Sequence, residues 1–116
     1  MISIVLNEAK QLRYFGDQPT ARKVLEPFRF SDHQESIKDD HAAVELAYGD
    51  TFLRESQFIL AGKCFARALE LAEAVKNKIL VLQCQLALAR ILFHQKDFKS
   101  ALGWLQQILD KIFFAY

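Results

Sequence analysis

Glycine and proline are scarce, with four Gly and two Pro in 116 residues. An all-β chain of this length needs many more turn-forming residues, so the shortage points to long helices with few breaks. An excess of either charge is also missing. Fifteen Lys and Arg stand against fourteen Asp and Glu, a formal net charge of +1. That balance excludes a nucleic-acid binder working through bulk positive field, and a polybasic membrane anchor. No apolar run approaches the roughly 20 residues needed to span a bilayer. Residues 1–8 lack the basic start and long apolar stretch of a signal peptide. An intracellular, cytoplasmic or nuclear protein is the expectation. Only two cysteines occur, Cys64 and Cys84, both inside apolar helical stretches with no histidine at metal-ligand spacing. Buried thiols in a reducing compartment are expected, rather than a zinc site or a redox pair.

Apolar residues, by contrast, are plentiful at 52% of the chain. This lies above the roughly 45–50% of ordinary globular chains, so a folded core is expected rather than disorder. The length fits one domain over residues 1–116. Helical spacing of apolar residues predicts helices over about 2–15, 19–28, 37–54, 57–75 and 79–94, and a sixth from about 98. Gly16 and Pro19 bracket the first turn, with Asp17 or Gln18 as cap. Pro27 should end or kink the second helix. Ser36 and Asp39 fit a capping box that starts the third. Lys76, Asn77 and Lys78 form a connection.

The helices repeat. Ala21, Ala61 and Ala101 are 40 residues apart, and so are Leu6, Leu46 and Leu86. The same offset aligns Ala9, Gly49 and Ala89, then Leu12, Phe52 and Leu92, then Leu25, Phe65 and Leu105. Small residues recur where two antiparallel helices must approach closely, and large ones where the pair fills its core. One helical hairpin is therefore present three times, over about 2–41, 42–81 and 82–116.

This pattern resembles the tetratricopeptide repeat family. In that motif a small residue in the first helix precedes a large apolar one by three positions, and the second helix carries Ala-x-x-x-Phe/Tyr-x-x-Ala. Gly49 and Phe52 with Ala61, Phe65 and Ala68 match closely. Ala89 and Leu92 with Ala101, Leu105 and Ile108 follow, and Ala9 and Leu12 with Ala21, Leu25 and Phe28 keep the register. The 40-residue period departs from the family's usual 34, and the helix-ending proline is missing from the second and third repeats. The resemblance implies an all-α fold, a right-handed α-solenoid of three hairpins made from six helices. It also implies a non-enzymatic protein–protein interaction module, scaffold or adaptor. Long repeats of this kind also resemble the sensor domains of some bacterial activators, so a small-ligand-sensing regulatory domain is the alternative.

In the family a partner peptide or helix lies along the concave face formed by the first helices. Carried over position by position, that face offers Lys10, Arg13 and Tyr14, then Asp50, Leu53 and Arg54, then Arg90, Phe93 and His94. Leu6, Leu46 and Leu86 would lie deeper. Cations mixed with apolar groups suit a peptide that carries both a carboxylate and an apolar anchor. Residues 81–116 hold four cations against two anions, which again favours an acidic partner. The lysine and asparagine positions of the family's chaperone-binding members are not matched, since Leu6 and Leu46 stand where lysine is expected.

The end of the chain is apolar where solenoids usually carry a polar cap. Ile112, Phe113, Phe114 and Tyr116 either dock end-on against a second copy or a partner, or fold back onto the third hairpin. No phosphate loop, nucleophile elbow or paired-histidine motif occurs. His33, Asp39, Asp40 and His41 match no recognised metal spacing. Neither catalysis, cofactor nor metal is expected.

Overall fold

The computed structural model describes residues 2–29 and 38–115. They form six α-helices: α1 (Ile2–Tyr14), α2 (Gln18–Leu25), α3 (Lys38–Arg54), α4 (Phe58–Ala74), α5 (Lys78–His94) and α6 (Phe98–Ala115). No strand occurs among the described residues. A 3-10 turn, Glu26–Phe28, follows α2. The second helix therefore ends earlier than its apolar spacing suggests. Pro27 has no N–H to donate and cannot continue the α-helical ladder. The expected capping box at Ser36 lies outside the described residues.

The 40-residue period is visible in the backbone. The helices α1, α3 and α5 end at Tyr14, Arg54 and His94, and α2, α4 and α6 begin at Gln18, Phe58 and Phe98, each set spaced by 40. The three turns between them share one geometry. Gly16, Ser56 and Lys96 adopt left-handed backbone, with φ of 87°, 61° and 65°. The next N–H in each turn reaches back to the preceding helix: Asp17 to the Leu12 carbonyl at 2.9 Å, Gln57 to Phe52 at 2.8 Å and Asp97 to Leu92 at 2.9 Å. This closure satisfies carbonyls that a helix end otherwise leaves orphaned. Asp17 and Asp97 then cap the following helices by accepting from the Thr20 and Ser100 N–H groups. The connection between α4 and α5 uses the same device, with Lys76 at φ 58° and Asn77 capping Leu80 N–H.

Only one of these four left-handed positions is glycine, and the others carry the steric penalty of a Cβ there. Ser56→Gly and Lys96→Gly are each expected to raise the unfolding free energy by about 0.5–1 kcal/mol, read from urea denaturation midpoints. A loss of stability at both positions would mean that the turn geometry is different.

Each helix packs mainly on its sequence neighbours, and α3 also touches α1 and α5. Two core clusters result. Ala9, Ala21, Leu25, Val44 and Ala47 unite the first hairpin with α3. Leu53, Ala61, Phe65, Ala87 and Ile91 join α3, α4 and α5. Small residues recur at these contacts because helix axes within 8–10 Å leave no room for larger ones. The stacking leaves α1, α3 and α5 side by side along one face, and that face carries the candidate site.

Candidate interaction groove

Three leucines at the repeat spacing, Leu6, Leu46 and Leu86, lie along the groove between α1, α3 and α5. Ala43, Ala47 and Ala87 keep it wide, and the Phe65 ring of α4 reaches it from below. Its volume is about 500 Å³. Lys10, Arg13, Tyr14, Asp50, Arg54 and Arg90 bring the polar groups.

Asp50 organises this polar part. Its Oδ2 lies 2.9 Å from Arg13 Nε, across the α1–α3 boundary, and accepts from Arg54 Nε at 2.8 Å, one turn along α3. The Arg54 guanidinium lies 5.1 Å from the Tyr14 ring centre, and Lys10 Nζ lies 6.0 Å from the same ring. Four cations, Lys10, Arg13, Arg54 and Arg90, thus face one anion, an excess of three positive charges in a chain whose net charge is +1. Lys10 and Arg90 have no ion-pair partner among the described residues. Burial pushes the Arg13 pKa below its ordinary value, Asp50 opposes that shift, and the positive charge of Arg54 adds to it. Arg13 Nη1 is buried without a hydrogen-bond acceptor. The groove accordingly holds under-neutralised positive charge beside leucine side chains.

Of the residues expected on this face, Lys10, Arg13, Tyr14, Asp50, Arg54 and Arg90 come together in the groove. Leu53 does not. It is 5% exposed and belongs to the core between α3, α4 and α5. Phe93 and His94 also lie away from the groove, at the end of α5, where Phe93 meets Phe98 edge to face at 5.3 Å and His94 stacks on Phe58 at 6.1 Å. Arg13, Leu53 and Phe93 share one register position, yet a charged side chain there turns to Asp50 and the two apolar ones pack with apolar neighbours. Carry-over by position alone does not see that difference. Asn7, Leu80 and Gln83 also line the groove and were not expected. The alignment of Asn7 with Ala47 and Ala87 at the repeat spacing is the signal that could have found the first. At the far end, Ile112 is partly exposed on α6. The side chains of Phe113 and Phe114, and all of Tyr116, lie outside the described residues.

Cys64 and Cys84 are free, buried thiols, and burial pushes both from an ordinary 9.0 up to about 11, with the Glu45 charge adding to the shift at Cys64. Neither is a thiolate at neutral pH. No group of three metal-ligating side chains occurs among the described residues. None of their helices is long and apolar enough to cross a membrane.

No curated protein and no solved structure matches the chain significantly. The family model of the tetratricopeptide repeat does, over residues 40–111, more than half of the sequence and the part with the clearest repeat register. With the shared turns, the paired helices and the 40-residue spacing, this match shows that the chain belongs to the tetratricopeptide repeat family.

Proposed function

We propose that this chain is a protein interaction module that holds an acidic, leucine-bearing segment of a partner protein in the groove between α1, α3 and α5. Tetratricopeptide repeats generally mediate protein–protein interaction. The observation that carries the finer reading is the excess of three positive charges set beside Leu6, Leu46 and Leu86. A carboxylate entering there meets charge-assisted donors that the protein itself leaves under-used, and apolar side chains of the same segment reach the leucines. Electrostatic attraction at such a groove raises both the encounter rate and the selectivity for acidic partners.

The test uses a short synthetic peptide of glutamates beside leucines, with its lysine-for-glutamate counterpart as control. Fluorescence anisotropy is expected to show binding of the acidic peptide only, weakening as salt is raised. The double variant Lys10→Glu/Arg90→Glu is expected to weaken binding at least about tenfold, the equivalent of 1.4 kcal/mol. Neither residue is in an internal ion pair among the described residues, so the fold should survive. Equal binding of both peptides, or no effect of the double variant, would contradict the proposal.

A further inference from the structure

From the gathering of cations at one end of the groove we infer, resting on the groove reading above, that the acidic group held there is a phosphate monoester. The partner segment would carry a phosphorylated serine or threonine two residues from a leucine.

The positive charge is concentrated rather than spread along the face. Asp50 Oδ2 lies 2.9 Å from Arg13 Nε and accepts from Arg54 Nε at 2.8 Å, so two guanidiniums share one oxygen. Arg54 and Lys10 both lie against the Tyr14 ring, 5.1 Å and 6.0 Å from its centre. Three cationic head groups from α1 and α3 are thereby drawn around one anion. Arg90 faces them from α5, at the repeat position of Lys10 and Asp50. Both arginines meet Asp50 through Nε, and Arg13 Nη1 is buried with no acceptor, so donors remain for a ligand. One carboxylate added to Asp50 would still leave two of the four charges unmatched. A phosphate monoester brings roughly two negative charges at pH 7, with three acceptor oxygens for guanidinium forks and an ammonium. The rest of the groove lining is leucine, alanine, Phe65 and amides, with no further charge. A run of carboxylates would find no second group of cations there.

The repeat also sets the distance between anion and apolar anchor. Leu6, Leu46 and Leu86 each precede the row of Lys10, Asp50 and Arg90 by four residues, about one helical turn or 6 Å. An extended segment advances about 3.3 Å per residue and turns residues two apart to the same side. A phosphorylated residue among the cations therefore puts the side chain two positions away over the leucine row. Leu86, 46% exposed, is open to that contact.

Fluorescence anisotropy of the full chain with four labelled peptides tests this: Leu-Ala-phosphoserine-Ala-Leu, its glutamate and serine versions, and the phosphoserine peptide with alanine for both leucines. The first should bind at least about tenfold more tightly than each of the others, and millimolar inorganic phosphate should leave most of it bound. Its affinity should fall about threefold between pH 7.5 and pH 5.5, because the phosphate loses its second charge near pH 6, while that of the glutamate peptide stays level. No histidine lines the groove to mimic that change. Lys10→Gln/Arg90→Gln should weaken the phosphoserine peptide at least about tenfold and the glutamate peptide less. Lys63→Glu, at an exposed position of α4 outside the groove, should change neither. Circular dichroism checks the fold of each variant. Arg90→Lys, which keeps the charge and removes the fork, serves if the double variant unfolds, with a partial loss expected for the phosphoserine peptide alone. Glutamate bound as tightly as phosphoserine would overturn the phosphate assignment and leave the groove reading standing. Equal binding with and without the leucines, or displacement by inorganic phosphate, would mean a bare phosphate site and would overturn it as well. Binding of none of the peptides would remove the groove reading itself.

Discussion

Arg29→Met is expected to lower the unfolding free energy by about 3–5 kcal/mol, because it strands a buried carboxylate. Glu45 sits in α3 with its side chain 0% exposed, and its Oε1 accepts from Arg29 Nε at 2.7 Å. The other carboxylate oxygen, Oε2, has no hydrogen-bond partner. Burial works against the charge on Arg29, but the hydrogen bond and the charge of Glu45 outweigh it and raise the Arg29 pKa above the ordinary value. The guanidinium also lies 3.9 Å from the Tyr48 ring centre, so three groups hold the 3-10 turn after α2 against α3. Removing Arg29 leaves the buried negative charge without its hydrogen-bonded cation. Removing both members is a different matter. In Arg29→Met/Glu45→Met the site becomes apolar, and the double variant should recover most of the loss and lie within about 1 kcal/mol of wild type. Urea denaturation of the single and double variants gives the comparison. Equal loss in both would mean that packing of the Arg29 stem, not the buried charge, is what matters.

Gly49→Ala is expected to destabilise by about 1–3 kcal/mol although alanine is the better helix former. Gly49 lies inside α3, where glycine is otherwise unfavourable by roughly 1 kcal/mol against alanine. A Cβ built there would lie 2.7 Å from Phe65 Cε1, 2.8 Å from Phe65 Cδ1 and 2.9 Å from Cys64 Cβ. The Phe65 ring is 1% exposed and its neighbours leave it little room to move. Overpacking therefore outweighs propensity, in keeping with the tight interior of folded proteins. Adding Phe65→Leu to Gly49→Ala should return part of the loss, since leucine vacates the ring edge. A stabilised Gly49→Ala variant would show that the α3–α4 pair opens more easily than its packing indicates. Calorimetry and denaturant titration both read this effect.

Much of this architecture is legible in the residue pattern, and the reasons differ from place to place. The 40-residue recurrence of Ala21, Ala61 and Ala101 sets the pairing of helices, because small residues mark helix contacts whatever surrounds them. Gly49 opposite Phe65 is legible for the same reason. The turns were harder to read: Gly16 announces a left-handed residue, whereas Ser56 and Lys96 adopt the same backbone without a glycine to mark it. The Arg29–Glu45 pair, 16 residues apart, joins the 3-10 turn to α3 and leaves no periodic trace. In the groove, position alone located Lys10, Asp50 and Arg90 but misplaced Leu53, whose apolar side chain belongs to the core. The α6 stripe was visible as apolar spacing, while which side α5 covers depends on packing rather than on spacing.

The groove itself is tested most directly by heteronuclear NMR of the labelled chain titrated with the acidic leucine-bearing peptide. The expected result is a set of shifted amides along three helices at once, around Leu6 to Tyr14 on α1, Leu46 to Arg54 on α3 and Gln83 to Arg90 on α5, with α6 unmoved. Shifts confined to α4 or α6, or none at millimolar peptide, would contradict the claim that this face binds the partner.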